Sequence, residues 1–386
     1  MLRIGRERTL NHMAEHLTHT GVHDHGFNVL STYGHLRRLI LEKRIGYDAW
    51  ELRFYELGLK VSGAVQAARW TNLAGNLGYI YSFNGAHSLF IDTIRTLRIC
   101  CLTHQLGHGL LGEQDCRINL LERALVHLAT TAKYNVYYGE GRDIYDTPEF
   151  RGRTAHEAIF NTASGTFRCP SSQQGYSPFS TWTRGLAWAM LGFAEQLEFF
   201  QSLSEDQLTR SSILNKPEAL LLLERSARAA CDFYIDQASA ADGICYWDTG
   251  APDLYKLGDW KSAPADPRND YEPVDSSASA IAAQGLLRLG RFLGIRGERY
   301  FTAGLTITRR LLDEEYLSRD ANHEGILLNS VYHRPNGWDY VPQGETEPSG
   351  ESSMWGDYHL LELGLTVHRI AQGNYYTFFE SGQRDR

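Results

Sequence analysis

The sequence predicts an all-α fold in which paired helices close into a ring. Apolar residues recur at three- and four-residue spacing over about ten segments, a pattern typical of amphipathic helices. No convincing pair of strands interrupts these segments, and short loops alternate with long loops that are rich in Trp, Tyr, His and Asp. Because long structureless loops are usually functional, we expect them to lie on one side of the ring. The ends of the inner helices would then line one shared cavity.

The predicted helices follow one another without a Pro-, Ser- or Gly-rich linker or a charge block between them. The segment 47–69 gives the strongest pattern, because Trp50, Phe54 and Leu57 repeat at helical spacing and predict an apolar face. The predicted helices cover residues 6–19, 29–43, 47–69, 88–105, 114–133, 181–201, 216–237, 277–293, 298–317 and 352–372. We therefore expect residues 1–386 to form a single domain.

Polar residues mark the starts of two of these helices. A side-chain oxygen just before a helix can accept from the unpaired N–H groups of its first turn. Thr181 or Thr183 is placed to cap the helix that begins there, and so is Asp275 or Ser276 for a later helix. These positions fix where two of the long loops end.

Composition excludes several function classes. The 386 residues carry a net charge of −8 with no basic stripe, which argues against a nucleic-acid partner. Apolar residues make up 42% of the chain, enough for a large core, and the 12% of aromatic residues suits a ligand that stacks. Six cysteines occur without a CxxC pair, so we expect reduced and mostly buried thiols.

The N-terminal residues MLRIGRERTLNHMAEHL contain no apolar segment of the kind that a secretion signal needs. No run of roughly 18 apolar residues, the length that a membrane-spanning helix requires, occurs in the chain. We therefore expect a protein without a membrane partner and with a cytoplasmic location, or a periplasmic one if a leader has been trimmed.

The stretch QGYSPFSTWTRGLAWAMLGF at 174–193 is a candidate ligand-binding segment. Arg184 and Trp188 are four residues apart on a predicted helix and share a face. A guanidinium group beside an indole suits a planar, negatively charged group on a ring, such as a uronic acid. The alternative is a buried aromatic helix whose arginine pairs with a structural carboxylate. This stretch alone leaves both interpretations open.

Asp92 is a candidate general acid. It lies in the apolar stretch FIDTI, where loss of solvent raises the pKa of a carboxyl group and keeps it protonated near neutral pH. A helix N-terminus acts in the opposite direction, and a simple capping role is the alternative.

Asp24 lies among His19, His23 and His25, which are residue types that bind zinc. The sequence lacks HExxH and any fixed spacing to a further ligand, so we expect no metal. His156 and Gln174 are polar residues in aromatic loops. Each is a candidate for hydrogen bonding to sugar hydroxyls or, alternatively, for bracing the loop backbone.

Other catalytic motifs are absent. The glycine-rich loops do not follow a predicted strand, so the sequence contains no phosphate-binding or dinucleotide-binding fingerprint. GxSxG is absent too, which argues against a serine hydrolase. We therefore expect no cofactor.

Several motifs together resemble the unsaturated glucuronyl hydrolases and the related unsaturated rhamnogalacturonyl hydrolases, which are (α/α)6-barrel glycosidases. The matching stretches are HDHGF (23–27), FIDTIRTL (90–97), His156, the segment 174–193, CYWD (245–248), DSSASAIAAQGLLRL (275–289), VYH (331–333) and WGDYHLLELGL (355–365). They span residues 23–365 in the order that the family shows. Helix periodicity alone does not produce matches at so many places.

The resemblance implies a role for each matching position. Asp92 corresponds to the general acid/base, and Asp24 to the second essential carboxylate, which orients the substrate or the catalytic water. The implied substrate-binding residues are His23, His156, Gln174 and Arg184 around hydroxyls and carboxylate, Trp182 and Trp188 as aromatic walls, and Tyr332 and His333 on the lid side.

The family chemistry is hydration rather than direct attack at the anomeric carbon. The enzyme protonates the C4=C5 vinyl ether of a terminal unsaturated uronic acid and adds water at C5, and the resulting hemiketal opens and releases the next sugar. This chemistry needs one proton donor that then acts as the base, and no metal. The implied partner is a uronic-acid-containing oligosaccharide. Two alternatives stay open: a β-glucuronidase acting on saturated glucuronic acid, and a non-catalytic protein that binds acidic sugars.

The chain departs from the family pattern in three places. The family has about two more helices upstream, so we expect a barrel that lacks the first helix pair, or a homo-oligomer in which a partner subunit fills the gap. Thr93, Ile94 and Arg95 follow the candidate acid where the family keeps an apolar, Asn-containing run. The segment YIYSFNGAHS offers tyrosines and a histidine where the family tends to place tryptophan. The exact substrate therefore stays open.

Overall fold

A computed structural model describes residues 2–208 and 213–380 of the chain. Its helices are α1 (Leu2–His12), α2 (His25–Val29), α3 (His35–Leu41), α4 (Ala49–Ala68), α5 (Leu97–Gln105), α6 (Leu120–Tyr134), α7 (Thr183–Ser202), α8 (Glu205–Leu208), α9 (Lys216–Phe233), α10 (Ser276–Leu293), α11 (Glu298–Leu311) and α12 (Met354–Ala371). Its short strands are β1 (Trp70–Asn72), β2 (Gly78–Ile80), β3 (Ser88–Phe90), β4 (Leu110–Leu111), β5 (Arg117–Ile118), β6 (Glu157–Asn161) and β7 (Thr166–Ser171). Each predicted helix overlaps an α-helix, so the all-α prediction is confirmed.

Helices α7 and α10 form the centre of the fold. Both are buried along almost their whole length and pack against each other. Gly285 permits the close approach, because a Cβ atom at this position would lie 2.7 Å from the backbone nitrogen of Leu191. Helices α9, α11 and α12 pack around this pair. The inner pair therefore carries the side chains that reach the middle of the ring.

The apolar face predicted for α4 is wrong. Trp50 is 79% exposed, and Phe54 and Leu57 are exposed as well. The buried face instead carries small residues, among them Gly63, where a Cβ would lie 2.4 Å from the Thr103 hydroxyl. Helices that approach this closely need small side chains at the contact, so the largest apolar residues do not mark the buried face here.

The expectation that no strands pair is also wrong. Strands β3, β6 and β7 form an antiparallel three-stranded sheet. The first strand replaces the predicted start of the helix at 88–105, and the other two lie inside the long loop 134–180. At three to six residues these strands are too short to show a clear alternating pattern. The sheet matters because the candidate acid follows its first strand directly.

The two predicted helix starts have different outcomes. The side chain of Asp275 accepts from the backbone N–H of Ala278 and caps α10, as expected. Neither candidate threonine caps α7, since the residue at the cap position is Trp182 and makes no side-chain cap. The hydroxyl of Thr183 instead donates to the carbonyl group of Tyr246 at 2.7 Å. It thereby ties the helix to the segment 245–248.

None of the helices in the described ranges is long and apolar enough to cross a membrane. All six cysteines are free thiols, and four of them are buried, which agrees with the expected reduced state. The single-domain organisation stays a prediction.

Candidate active site

Two carboxylates from distant parts of the sequence meet at the expected site. Asp24 precedes α2 without capping it, and Asp92 lies in a 3₁₀ turn directly after β3. Oxygen atoms of both carboxylates and a ring nitrogen of His23 lie within 4.8 Å of one another. Asp92 is 2% exposed, whereas the side chain of Asp24 is 30% exposed. One acid is therefore enclosed, and the solvent-exposed side of the other forms the opening of the site.

The three-stranded sheet fixes the position of the enclosed acid. Phe90 pairs with Glu157 across the two strands, and the backbone N–H of Ile91 donates to the carbonyl group of His156 at 2.8 Å. These bonds hold the turn that carries Asp92 beside the loop that carries His156. The sequence places both residues in the site, but only the sheet explains how they meet.

Arg95 is a site residue to which the sequence gave no role. Its Nε donates to Asp24 at 3.1 Å, its Nη2 also contacts Asp24, and Nη2 lies 3.4 Å from Oδ2 of Asp92. Its guanidinium carbon lies 4.5 Å from the ring centre of Trp188. The i,i+3 spacing to Asp92 within FIDTIR is the sequence signal that could have placed it here.

The charge state of Asp92 is set by two neighbouring side chains more than by burial. Burial alone would raise its pKa, but the hydrogen bond and charge of His23 and the charge of Arg95 outweigh burial and lower the pKa below its usual value. Burial would also raise the pKa of Asp24, but the charges of Arg95 and His23 outweigh burial and lower it. The net pKa shift of Asp92, which the sequence left open, is therefore downward, and in the ligand-free protein both acids are ionised at neutral pH.

His156 has the bracing role, one of the two that the sequence left open, and binding of a sugar by this residue stays a prediction. Its Nδ1 accepts from the backbone N–H groups of Gln173 and Gln174 at 3.0 and 3.2 Å, so it braces the loop. Its ring packs against Phe90 and Trp182 at 4.4 and 4.8 Å between centres. Burial lowers its pKa to about 4. The neutral ring then carries its proton on Nε2, which makes no hydrogen bond in the described chain.

Arg184 is held by the protein itself. Its Nη1 donates to Asp275 at 2.8 Å and also contacts the carbonyl oxygen of Val331. Its Nη2 donates to Gln174 at 3.2 Å and to the carbonyl oxygen of Tyr332 at 2.8 Å. Arg184 thus pairs with a structural carboxylate, as the alternative interpretation of the segment 174–193 expected, and that carboxylate belongs to Asp275. The expected grip on a substrate carboxylate is not available to these two nitrogens, but the amide nitrogen of Gln174 remains free to donate.

The aromatic residues divide between the interior and the opening. Trp188 is 1% exposed and lies behind Arg95, so it does not form an exposed wall. Trp182 is also buried, whereas Tyr332 is 48% exposed and packs against Trp338. His333 is mostly buried beside the same tryptophan. Of these residues, Tyr332 offers the surface that a sugar could contact.

Asp248 supports the candidate binding loop and was given no role by the sequence. Its carboxylate accepts from the backbone N–H groups of Tyr176 and Gly250 at 2.9 and 2.8 Å. A backbone bridge also joins it to Trp182. Burial raises its pKa to about 6. Asp248 therefore fixes the loop that presents Gln174.

The histidines near Asp24 do not converge as a metal site of their own. His25 contacts the carbonyl oxygen of His16 at 2.6 Å and the hydroxyl of Ser62 at 2.8 Å, and His19 is exposed. The ring of His25 is therefore engaged away from the carboxylates.

His23, Asp24 and Asp92 could by distance hold a cation. Arg95 already contacts both carboxylates with its positive charge. A metal ion would have to displace that guanidinium group, so the arrangement does not favour one, and the expectation of a metal-free site stays a prediction.

No protein-family model matches the chain. Among curated proteins, it is 30% identical over 224 residues to the unsaturated glucuronyl hydrolase of Bacillus sp. strain GL1, covering 57% of this chain and 48% of that protein. It is 26% identical over 208 residues to the enzyme of the same name from Formosa agariphila, covering 54% and 41%. It is 25% identical over 219 residues to the unsaturated chondroitin disaccharide hydrolase of Streptococcus pyogenes serotype M1, covering 55% and 44%. The matches span about half the length of these relatives.

Solved structures confirm the fold. The crystal structure of unsaturated glucuronyl hydrolase from Bacillus sp. GL1 superposes with a TM-score of 0.66 at 22% identity, covering 99% of this chain and 81% of that one. An unsaturated glucuronyl hydrolase specific for heparin gives 0.67 at 20% identity, covering 95% and 79%. The Streptococcus agalactiae enzyme gives 0.64 at 20% identity, covering 97% and 75%. The ring predicted from the sequence is therefore the α/α barrel of these proteins.

Proposed function

We propose that the chain is a divergent member of the unsaturated glucuronyl hydrolase family and an exo-acting glycoside hydrolase, because it is similar to relatives and solved structures of that name. It removes a Δ4,5-unsaturated uronic acid from the non-reducing end of an oligosaccharide. The observation that carries this proposal is the pair formed by Asp24 and Asp92, one enclosed and one facing the opening. Saturated glucuronic acid is less favoured, because the relatives are named for unsaturated substrates.

The enclosed acid is suited to proton transfer. Oδ2 of Asp92 lies 3.5 Å from Nε2 of His23, while Oδ1 has no hydrogen-bond partner in the described chain. In the proposed reaction Oδ1 delivers a proton to C4 of the vinyl ether. The carboxylate then takes a proton from the water that adds at C5, and Asp24 orients that water. The hemiketal opens, and the neighbouring sugar leaves with its own hydroxyl group.

The remaining residues bind the sugar. The free amide nitrogen of Gln174 and Nε2 of His156 are donors for the ring hydroxyls or the carboxylate. Tyr332 provides an exposed ring at the opening. Arg184 acts on the substrate indirectly, because it holds Gln174 and the carbonyl oxygen of Tyr332 in place.

The test offers the protein an unsaturated disaccharide from a polysaccharide lyase digest and follows the vinyl-ether absorbance. We expect the absorbance to fall in step with release of the second sugar. Release of nitrophenol from nitrophenyl β-glucuronide without loss of the vinyl ether would support the saturated alternative instead. Tight binding of both ligands without any turnover would support the non-catalytic alternative.

A further inference from the structure

Arg95 is the charged side chain of the site that keeps a donor nitrogen without a hydrogen-bond partner in the described chain. Its Nε and Nη2 engage Asp24, and Nη2 also approaches Asp92, but Nη1 makes no hydrogen bond within the described part of the chain. The side chain is 17% exposed. Stacking on Trp188 fixes the plane of the guanidinium group. A ligand in the opening therefore meets a fixed, planar cation with a free edge.

The neighbouring arginines instead donate from both of their Nη nitrogens to protein groups. Arg69 donates to three backbone carbonyl groups, and Arg98 is bound by two buried glutamates. Arg184 is bound by Asp275, Gln174 and two carbonyl groups. Among these four arginines, Arg95 alone contacts the two aspartates and has an Nη nitrogen without a hydrogen-bond partner in the described chain.

Three of the histidines around the pair supply no compensating charge at neutral pH. Burial lowers the pKa of His156 to about 4 and the pKa values of His127 and His359 to about 3, so these rings are neutral at pH 7. His23 contacts both acids through its Nε2. Arg95 is thus the permanent cation that compensates the two carboxylates.

A uronic acid brings a third carboxylate to this site. Asp24, Asp92 and Arg95 together carry one net negative charge when both acids are ionised, and a protonated His23 would at most neutralise it, so a further carboxylate again leaves the site with excess negative charge unless it gains a proton. Like charges this close cannot all stay ionised at low cost in a buried site, and one carboxyl group takes up a proton.

On the basis of the proposed function, we propose that Arg95 receives the carboxylate of the terminal uronic acid and that the Asp24–Asp92 pair takes up one proton from solvent as it does so. The proton binds Oδ1 of Asp92, the carboxylate oxygen that has no protein partner. Substrate binding itself then prepares the proton donor. During turnover this proton becomes the new hydrogen on C4, and the attacking water returns one to Asp92.

Calorimetry of glucuronate binding at pH 7, in two buffers with different ionisation enthalpies, measures the protons taken up per ligand. Saturated glucuronate is the probe, because it carries the carboxylate but no vinyl ether to hydrate. We expect about one proton per glucuronate for the wild-type protein. Arg95→Met should reduce this number towards zero, because without Arg95 the free pair already holds a proton, and should weaken binding by about tenfold or more.

Arg95→Lys keeps the charge and should retain most of the proton uptake, while the exposed Arg319→Met is the matched control and should behave like the wild type. If Arg95→Met binds too weakly for calorimetry, carboxyl ¹³C NMR titration of the ligand-free proteins replaces it. One carboxyl pKa should then rise towards neutrality in Arg95→Met only.

Two results would overturn the inference while leaving the proposed function intact: glucuronate binding without proton uptake in the wild type, or unchanged binding and uptake in Arg95→Met. A protein that neither binds glucuronate nor consumes the unsaturated disaccharide would instead remove the proposed function.

Discussion

The barrel contains two clusters of carboxylates and arginines. They differ in whether every carboxylate oxygen accepts a hydrogen bond. The buried cluster lies among the inner helices and consists of Glu195, Glu198, Glu362, Arg98 and Arg288. All six of its carboxylate oxygens accept hydrogen bonds from these arginines or from tyrosines. Its side chains are at most 9% exposed.

The site cluster consists of Asp24, Asp92, Arg95 and His23. It also combines carboxylates with an arginine, but some of its polar atoms have no hydrogen-bond partner in the described chain. One arginine, Arg95, serves the two carboxylates of Asp24 and Asp92. One oxygen of Asp92 and one nitrogen of His23 have no partner in the described chain. Asp24 and Arg95 are partly exposed, at 30% and 17%.

The difference separates a structural network from a reactive one. An ion cluster whose carboxylate oxygens all accept hydrogen bonds has no vacant oxygen for a proton and is disrupted by the loss of any member. The incomplete cluster has both a vacant oxygen and a cation that a ligand can reach. Sequence composition does not distinguish the two clusters, but the count of satisfied oxygens does.

The largest expected effect is that of Asp92→Asn on catalysis. The amide cannot deliver a proton from Oδ1, so kcat should fall by about 10³- to 10⁴-fold. The melting temperature should change little, because one oxygen of Asp92 makes no hydrogen bond in the described chain that the substitution could break. Steady-state kinetics and calorimetry measure the two effects, with the exposed Glu314→Gln as the control. Wild-type turnover in Asp92→Asn would remove Asp92 from the mechanism.

Glu195→Gln should produce the reverse pattern. It leaves Arg98 without its two-oxygen partner inside the barrel, and breaking a buried ion pair lowers the free energy of unfolding by about 3–5 kcal/mol. The kcat of the folded fraction should stay close to wild type. Urea unfolding gives the stability. A loss of kcat without a loss of stability would show that the two clusters are not distinct in function.

The pH dependence of kcat/KM tests the ionised state of the free site. Burial alone would raise the pKa of Asp92, but His23 and Arg95 lower it below its usual value, and the reaction needs the protonated acid. The protonated fraction therefore falls as pH rises, so kcat/KM should decrease by about tenfold per pH unit between about pH 5 and 8. In Arg95→Met the profile should flatten at the acidic end. A flat wild-type profile would contradict the account.

Arg184→Lys should have a smaller effect, and mainly on structure. Lysine cannot reproduce the planar contacts to Asp275, Gln174 and two carbonyl groups, so stability should fall by about 1.5–3 kcal/mol. KM should rise only several-fold through displacement of Gln174. A large rise in KM with unchanged stability would restore Arg184 as a direct ligand of the substrate carboxylate.

The smallest expected effect is that of a chelator. Since Arg95 contacts both carboxylates, activity should be unchanged after dialysis against EDTA. Activity that is lost with EDTA and regained with a divalent cation would show that His23, Asp24 and Asp92 hold a metal after all.

The sequence predicts the helix order because amphipathic spacing is local, and the family motifs bring Asp24 and Asp92 to one site. It fails where the answer depends on contacts between distant segments. The exposure of Trp50 depends on small residues on the other face of its helix. The engagement of Arg184 depends on Asp275, 91 residues further along. The lowered pKa of Asp92 depends on His23, 69 residues away, as well as on nearby Arg95.

Infrared difference spectroscopy observes the protonation state of Asp92 before and after a uronate binds. At neutral pH we expect the addition of glucuronate to produce the band of one protonated carboxyl group, and this band should be absent in Asp92→Asn. Glucuronate binding that leaves every carboxyl band of the wild-type protein unchanged would contradict this expectation.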